Sequence, residues 1–276
     1  MRKIFKKNLI ITGSTGLLGS HFCKLSKKKY NIIKYPYRIQ YKNRFNKFIK
    51  FKKFDYFIHF AALTRNSKKK NKKIFNKINV QSSINIIKIL CKKPETKIKY
   101  FIFISSSHVY GSSKKEINEN KRRRPENLYG KTKKEVEDFI INNRKKIPFK
   151  IGIARIFNIT GKKQQRGYFI PDIINKIKFQ KKIMNINKYR DFVHIDDVVK
   201  ALNLMVKKKY NSQINISSGK KVNLIEICKK INKIYYNKKI NFDINRGKDI
   251  FGNNTKLKKL GLKKFKDIKK IISSLK

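Results

Sequence analysis

The stretch NLIITGSTGLLG, residues 8–19, decides the fold of this chain. Its first five residues form an apolar run of strand length, the glycine-rich part follows, and residues 20–25 continue with a helical pattern. A glycine turn between a strand and a helix lets the backbone approach a pyrophosphate, which then lies at the helix N-terminus. The stretch therefore predicts the first strand, turn and helix of a dinucleotide-binding α/β sheet, against the alternative of a plain tight turn.

A second apolar run, residues 54–63 (FDYFIHFAAL), ends close to two small residues, Ala61 and Ala62. Small side chains at the carboxyl end of a strand leave room for a ligand in the crevice of an α/β sheet. We therefore expect this end of the strand to face the cofactor together with the glycine turn. The cofactor-binding residues predicted from the two stretches are Gly13, Thr15, Gly16, Leu17, Gly19, Ala61 and Ala62.

Residues 30–38 are predicted to be the next strand and its exit. In dinucleotide-binding folds this strand normally leads to a carboxylate that binds the adenosine ribose, yet no Asp or Glu occurs between Tyr30 and Asn46. Arg38 lies there instead, and an arginine can accept a ribose 2′-phosphate. The predicted cofactor is NAD or NADP, with Arg38 favouring NADP; the alternative is that Arg38 is an ordinary surface residue.

Composition limits the class of protein. The 276 residues carry a formal net charge of +57, and the lysines are scattered through every segment. Basic charge steers anions without specifying one, so we expect no specific nucleic-acid partner. The isolated Cys23, Cys91 and Cys228 predict neither a disulfide framework nor a metal site. The short apolar runs and the lack of a signal-peptide pattern predict a cytoplasmic protein that does not enter a membrane.

Tyr129 and Lys133 are the candidate catalytic pair. Residues four apart share one face of a helix, so their phenol and ammonium can point into the same cleft. An apolar strand, residues 100–104, precedes them and leads to three serines at 105–107, whose hydroxyls are placed to bind a substrate oxygen. This arrangement predicts proton transfer at a carbonyl or carbinol.

Six stretches together resemble the extended short-chain dehydrogenase/reductases, in particular the nucleotide-sugar epimerase/dehydratase group. They occur in the family's order and span almost the whole chain. They are TGSTGLLG (12–19), HFAA (59–62), SSSHVYG (105–111), YGKTK (129–133), ARIFNITG (154–161) and RDFVHIDDVVKAL (190–202).

The resemblance implies that a hydride passes between a nicotinamide and a sugar carbon. Tyr129 would be the acid/base on the oxygen of that carbon, and Lys133 would hold the nicotinamide ribose and lower the pKa of the phenol. Both residues are therefore also predicted to bind the cofactor. Ser106 aligns with the family's catalytic Ser/Thr, with Ser107 as the second candidate.

The resemblance also implies a nucleotide-diphosphate sugar as the substrate. An arginine matching Arg190 grips the diphosphate in the family, which suits the bidentate pairing of a guanidinium. The predicted substrate-binding residues are Ser107, His108, Asn158, Arg190, Arg246 and Asp249. We also expect Arg155, on the strand before Asn158, to reach the cleft.

One departure from the family narrows the reaction. Its 4,6-dehydratases carry an Asp-Glu pair after the catalytic Ser/Thr, where this chain has Ser107 and His108. Dehydration is therefore not expected, and 4-epimerisation and 4-keto reduction stay open. A non-catalytic NADP-binding regulator and an RNA-associated protein on the same fold are the alternatives from other classes.

The predicted fold is α/β, a Rossmann-type doubly wound parallel sheet with a smaller C-terminal α/β substrate-binding lobe. We expect the NAD(P)-binding domain to span residues 1–160. Residues 161–276 would form the lobe, with some segments returning to the Rossmann core. The family resemblance implies a homodimer through the helices that hold Ile84 and Val136.

Overall fold

A computed structural model describes residues 6–64, 71–161, 164, 167–184, 186–242, 245, 247–268 and 272 of the chain. In chain order the helices and strands are β1 (Lys7–Thr12), α1 (Leu17–Ser26), β2 (Tyr30–Lys34), α2 (Lys42–Ile49), β3 (Tyr56–His59), α3 (Lys72–Phe75), α4 (Ser82–Cys91), β4 (Tyr100–Ser106), α5 (Leu128–Asn142), β5 (Lys150–Ile156), β6 (Asn158–Thr160), α6 (Phe169–Lys178), β7 (Tyr189–Arg190), β8 (Phe192–His194), α7 (Ile195–Lys208), β9 (Gln213–Ile216), β10 (Val222–Asn223), α8 (Leu224–Tyr235) and α9 (Thr255–Leu260).

The centre of the molecule is a six-stranded sheet in the order β2-β1-β3-β4-β5-β9, in which every pair of neighbours is parallel. The chain passes from β1 to β2 on one side and then crosses to β3 on the other. The strand order therefore reverses at β1, and ligands of such sheets bind at the carboxyl ends of the strands beside that point. This topology confirms the predicted Rossmann-type fold.

Alternate residues of the strands pack into two separate cores, one on each face of the sheet. In β1, Leu9 and Ile11 belong to the first core and Ile10 to the second. All seven residues of β4 are buried, which is typical of a parallel strand that is covered on both faces. The continuous apolar run of β4 is thus a direct consequence of helices on both sides.

The helices divide between the two faces. Phe22 of α1 and Val198 of α7 pack into the first core, whereas Phe45 of α2, Ile87 of α4 and Val136 of α5 pack into the second. The sheet is therefore doubly wound, as predicted. Val136 is fully buried in this core, so it does not lie on an outer surface of α5. The predicted homodimer through the helices that hold Ile84 and Val136 stays a prediction, and any contact of α5 would involve a face of the helix other than the one that carries Val136.

A third apolar cluster lies in the C-terminal part of the chain. It joins α6 and α8 through Ile173, Ile177, Ile227 and Ile231, and it includes Ile272. The strand β9 and helix α7 belong instead to the central sheet and its first core. This arrangement supports a lobe with returning segments, and the boundary at residue 160 stays a prediction.

Helix α3 continues into α4 through a π-helical turn, Asn76–Gln81. The sequence predicts one long helix here, and its apolar spacing does not reveal the extra residue in the turn.

Among the described residues, no helix has the length and apolar character needed to cross a membrane.

Candidate active site

The glycine turn after β1 lies against the end of β3. Gly13 has φ +71°, and a Cβ atom on it would lie 2.7 Å from the backbone nitrogen of Ala61. A Cβ on Gly19 would collide with the carbonyl oxygen of Gly13. Glycine is required at both positions because backbone occupies the space of the side chain.

The turn opens α1 toward a cleft of about 310 Å³. Gly16 is the N-cap of α1, and within the described part of the chain no side chain caps the first N–H groups of this helix. Free N–H groups at a helix N-terminus beside close backbone are suited to a pyrophosphate. The residues present therefore fit a dinucleotide, which Gly13, Gly16, Leu17, Gly19 and Ala62 would border as lining residues of the cleft.

Three of the other predicted cofactor residues are not among the described residues that line this cleft. Thr15 is exposed within the turn, and Ala61 packs beneath Gly13. Arg38 is exposed in the segment that follows β2, the strand next to β1. Their roles toward the cofactor stay predictions.

Ser106, Tyr129 and Lys133 all line the same cleft as the glycine turn. The Lys133 ammonium donates a hydrogen bond to the carbonyl oxygen of Ile104 (2.8 Å) and lies 5.8 Å from the centre of the Tyr129 ring. The hydroxyl of Ser106, at the end of β4, interacts with the phenol of Tyr129. The sheet edge and helix α5 thus bring together the three residues that the sequence singles out.

Burial dominates the electrostatics of this trio. It raises the pKa of the Tyr129 phenol, and the hydrogen bond with Ser106 opposes that shift. Burial also lowers the pKa of Lys133 to about 7, against the attraction of the Glu137 carboxylate. Desolvation therefore dominates the pKa of the phenol in the protein by itself, and the expected effect of Lys133 on that pKa stays a prediction.

The start of α5 is held in place by its N-cap. The side chain of Asn127 accepts a hydrogen bond from the backbone N–H of Gly130 (2.8 Å). Its amide nitrogen lies 3.1 Å from Nδ1 of His108 and donates to it, since Asn127 Oδ1 is already an acceptor. His108 also contacts the ring of Tyr129 edge-on. The cap therefore couples the loop after β4 to the first turn of α5.

A buried ion cluster lies beneath the cleft. The Glu137 carboxylate is fully buried and pairs with the guanidinium of Arg155, with Nη2 2.6 Å from Oε2. Ser105 donates to the same carboxylate (2.5 Å), and Arg123 pairs with it from the outside (3.1 Å). The expectation that Arg155 reaches the cleft is wrong, because a buried carboxylate needs a cation and Arg155 supplies it.

The predicted substrate residues divide into two groups. Ser107, His108 and Asn158 line the cleft. Arg190 is held elsewhere, because its Nη1 donates to the carbonyl oxygens of Tyr189 (2.7 Å) and Lys248 (2.6 Å).

Asp249 and Arg246 complete that second group. Asp249 accepts a hydrogen bond from the backbone N–H of Tyr189 (2.7 Å), which ties the segment after α8 to β7. Neither Asp249 nor Arg190 is among the described residues that line the cleft. Arg246 lies outside the described residues. The substrate-binding roles of all three stay predictions.

The cleft has a wall that the motifs do not reveal. Tyr168 and Phe169 at the start of α6 form it together with Phe192 of β8, and the rings of Phe169 and Phe192 are 5.7 Å apart. Gln164 also lines the cleft and donates to the carbonyl oxygen of Ile159 (2.7 Å). An aromatic pair before a helix is an ordinary core pattern, so the sequence contains no signal that assigns it to the site.

Among curated proteins, the chain is 26% identical over 261 residues to an uncharacterised UDP-glucose epimerase, YtcB, of Bacillus subtilis (strain 168). That match covers 82% of this chain and 81% of the relative. The chain is also 29% identical over 151 residues to a dTDP-D-glucose 4,6-dehydratase of Dictyostelium discoideum, covering 49% of this chain and 35% of that protein.

Two solved structures have the same fold over almost their full length. RMD from Pseudomonas aeruginosa, complexed with NADPH, has a TM-score of 0.85 at 20% identity and covers 98% of this chain and 97% of its own. The UDP-glucose 4-epimerase of Thermotoga maritima, with UDP-glucose, also has a TM-score of 0.85 at 20% identity, covering 97% and 96%. Residues 9–217 match the model of the NAD dependent epimerase/dehydratase family. The family model matches most of the chain, and the glycine turn shares one cleft with Ser106, Tyr129 and Lys133. This chain therefore belongs to the NAD-dependent epimerase/dehydratase family.

Proposed function

We propose that the protein is an NAD(P)-dependent enzyme that acts at the sugar C4 carbinol or ketone of a nucleotide-diphosphate sugar, with 4-epimerisation as the first candidate reaction. The observation that carries the proposal is that Ser106, Tyr129 and Lys133 share one cleft with the glycine turn. The similarity to a UDP-glucose epimerase over 82% of this chain supports the sugar substrate.

The proposed chemistry divides between cofactor and protein. A bound nicotinamide supplies the acceptor and donor of hydride. Tyr129 removes the proton from the C4 hydroxyl, or returns it to the C4 ketone, and Ser106 hydrogen-bonds the same oxygen. Because burial raises the pKa of Tyr129, the phenol is protonated at neutral pH and is prepared to act as an acid toward a ketone. To act as a base, the phenol must first lose its proton, and a positive charge near the phenol is required for that ionisation.

A 4-keto reductase is the second candidate. The sequence contains no Asp or Glu between Tyr30 and Asn46, where a carboxylate would bind the ribose of NAD, and it has Arg38 there. A preference for NADP would suit a reductase, which consumes its cofactor in every turnover. An epimerase instead returns the hydride to the same sugar and leaves the cofactor unchanged.

A panel of substrates separates these candidates. Purified protein is incubated with UDP-, GDP- and dTDP-sugars and their 4-keto forms, while absorbance at the reduced-nicotinamide band and the sugar products are followed. Sugar interconversion without net change in cofactor identifies an epimerase, and net oxidation of NADPH identifies a reductase. Cofactor binding without turnover of any member would contradict the proposal and favour a non-catalytic regulator.

A further inference from the structure

Helix α2 and the segments on either side of it, residues 37–53, present a cluster of exposed side chains that we call the α2 surface. Four aromatic side chains are exposed in the described part of the chain, and three of them belong to this surface. They are Tyr37, Tyr41 and Phe51, with exposed fractions of 48%, 47% and 88%. The face of α2 that packs on the core carries other residues, such as the buried Phe45. Clustered rings in water indicate a surface for a ligand or a partner.

The α2 surface carries positive charge without negative charge along its sequence. Residues 37–53 contain no Asp or Glu, and the first carboxylate of the whole chain is Asp55, which pairs with Lys99 (2.9 Å). An anion that follows this segment therefore meets no like charge on it. The basic residues are Arg38, Lys42, Arg44, Lys47, Lys50, Lys52 and Lys53, and all of them except the half-buried Lys52 are exposed.

Cations and rings lie next to each other on this surface. The guanidinium carbon of Arg44 lies 4.9 Å from the centre of the Tyr41 ring and 5.6 Å from that of the Tyr37 ring. The ammonium of Lys50 lies 5.1 Å from the centre of the Phe51 ring. Each exposed ring therefore has a cation beside it, which is the arrangement that binds a base and a phosphate together.

Single-stranded nucleic acid matches this combination of groups. Its unpaired bases can stack on exposed aromatic rings, and its phosphates can pair with the cations between the rings. From Tyr41 to Phe51 the chain advances by about 15 Å at the rise of a helix, which equals about four nucleotides stacked at about 3.4 Å. A free phosphate or an acidic peptide would use the cations but would leave the rings in water.

We propose that the α2 surface binds single-stranded RNA without regard to sequence. Tyr37, Tyr41 and Phe51 stack on bases, and Arg44 and Lys50 contact the phosphates between them. RNA is the expected strand because cellular DNA is held as a duplex, in which the base faces are covered. Sequence-independent binding agrees with the absence of a specific nucleic-acid partner that the scattered charge predicts. None of these five residues is among the described residues that line the cleft, so this inference does not rest on the proposed function.

The test is fluorescence anisotropy of the full chain with a labelled oligouridine of about twelve nucleotides. Phe51→Ala removes a side chain that is 88% exposed, and we expect it to weaken binding by about fivefold or more. Adding Tyr41→Ala is expected to bring the loss to about thirtyfold or more, since a second stacking ring is removed. An abasic strand with the same number of phosphates cannot stack, so we expect it to bind at least about tenfold more weakly.

Phe179→Ala is the matched control for the aromatic variants. Phe179 is 55% exposed and also has a lysine beside its ring, because the Lys178 ammonium lies 5.6 Å from the ring centre. This ring lies outside the α2 surface, so its removal is expected to leave the affinity for oligouridine within about twofold. Melting temperatures of all variants check that they are folded.

A second comparison tests the charges. Lys50→Gln combined with Lys53→Gln removes two exposed cations from the α2 surface, whereas Lys207→Gln combined with Lys208→Gln removes two exposed cations at the end of α7. We expect only the first pair to reduce the slope of log affinity against log salt concentration, by about one to two. The two double variants have the same net charge, so the comparison isolates the position of the cations.

Four results would overturn the inference. Equal losses in Phe51→Ala and Phe179→Ala, or equal slopes in the two lysine pairs, would show that the net charge of +57 alone attracts RNA. Equal affinity for the abasic strand would show a surface for anions in general. Displacement of oligouridine by NADPH would assign the α2 surface to the cofactor. At least about tenfold tighter binding of oligothymidine of the same length would assign it to single-stranded DNA.

Discussion

Tyr129 and Lys133 occupy the same cleft but respond to burial in opposite ways. Removal from water raises the pKa of the phenol and lowers that of the ammonium to about 7, so both groups are biased toward their neutral forms. Ser106 is the group that favours ionisation of the phenol, through its hydrogen bond. At the scale of single residues, desolvation therefore has the largest effect on the pKa values of both groups.

Replacing Tyr129 by Phe removes the proton donor and acceptor while keeping the ring. We expect kcat on the sugar substrate to fall by about 10²–10⁴, as for the loss of an acid/base group, and cofactor affinity to stay within about threefold. Turnover and NADH titration measure the two effects. Tyr30→Phe, on β2, is the matched control because it removes a phenol outside the cleft. More than a tenth of wild-type kcat in Tyr129→Phe would contradict the assignment.

Lys133 predicts a pH dependence of folding stability. The unfolded chain keeps this proton up to the ordinary value of 10.5, whereas the folded protein releases it near pH 7. Unfolding therefore takes up a proton between these values, and stability rises with pH by up to about 1.4 kcal/mol per pH unit from this group. Below pH 7 both states carry the proton and the slope disappears.

The measurement is urea unfolding of the wild type and Lys133→Met at pH 6, 7, 8 and 9. Other basic groups contribute equally to both proteins, so the difference in slope isolates Lys133. We expect the wild type to gain stability more steeply than the variant above pH 7. Equal slopes in the two proteins would show that Lys133 keeps its ordinary pKa in the folded state.

At the scale of elements, the cleft depends on close approach of backbone at the ends of β1 and β3. The parallel register pairs Thr12 with His59, which brings Gly13 against the residues after β3. The N-terminus of α1 then opens to the cleft, because glycines occupy the positions of the turn that border it, Gly13, Gly16 and Gly19. A buried Glu137 and Arg155 pair anchors α5 to β5 on the other side of the site.

Two alanine substitutions in the turn are expected to act differently. Gly13→Ala introduces a Cβ 2.7 Å from Ala61 N at a φ of +71°, so stability falls by about 1–3 kcal/mol and cofactor affinity falls with it. On Gly16 the Cβ meets no described atom closer than Gly13 O, at 3.5 Å, so stability changes by less than about 0.5 kcal/mol. Because Gly16 lines the cleft, its Cβ still weakens cofactor binding. Urea unfolding and NADH titration measure both effects, and equal stability losses would contradict this account.

At the scale of the whole molecule, a buried carboxylate between β7 and β8 binds the loop that follows β9, the last strand of the central sheet. Asp191 accepts from the backbone and the hydroxyl of Ser218 (both 2.8 Å) and from the backbone of Gly219 (3.0 Å). Burial nevertheless raises its pKa to about 6. The chain as a whole carries a large excess of positive charge, and repulsion between these charges opposes the compact state.

The net charge of +57 predicts that added salt stabilises the fold. Raising sodium chloride from about 0.01 M to about 1 M shortens the Debye length from about 30 Å to about 3 Å, which screens repulsion between distant lysines. We expect the melting temperature to rise by about 5 °C, corresponding to roughly 1–2 kcal/mol. Thermal scans monitored by circular dichroism measure it, with potassium chloride as the control for ion identity. A melting temperature that falls or stays constant would show that screening of local ion pairs outweighs the reduced repulsion.

The sequence by itself determined the features that depend on local spacing. The glycine turn, the apolar run of β4 and the four-residue spacing of Tyr129 and Lys133 each follow from strand or helix geometry, so the fold and the placement of Ser106, Tyr129 and Lys133 in one cleft were predictable. Only the tertiary structure decided which of several equivalent polar residues face the cleft. Arg155 forms an ion pair with the buried Glu137, and Asp249 accepts a hydrogen bond from the backbone of β7.

Asn79 and Tyr168 are the opposite case: the sequence did not single them out, and only the tertiary structure decided their surroundings. Asn79 bonds to Leu63 after β3 and to Thr132 of α5, and Tyr168 lines the cleft at the start of α6. These positions are set by long-range packing and by the need to pair every buried polar group, which no short motif encodes. Periodicity therefore predicts elements, whereas the balance of burial and pairing across the whole molecule selects the residues of the site.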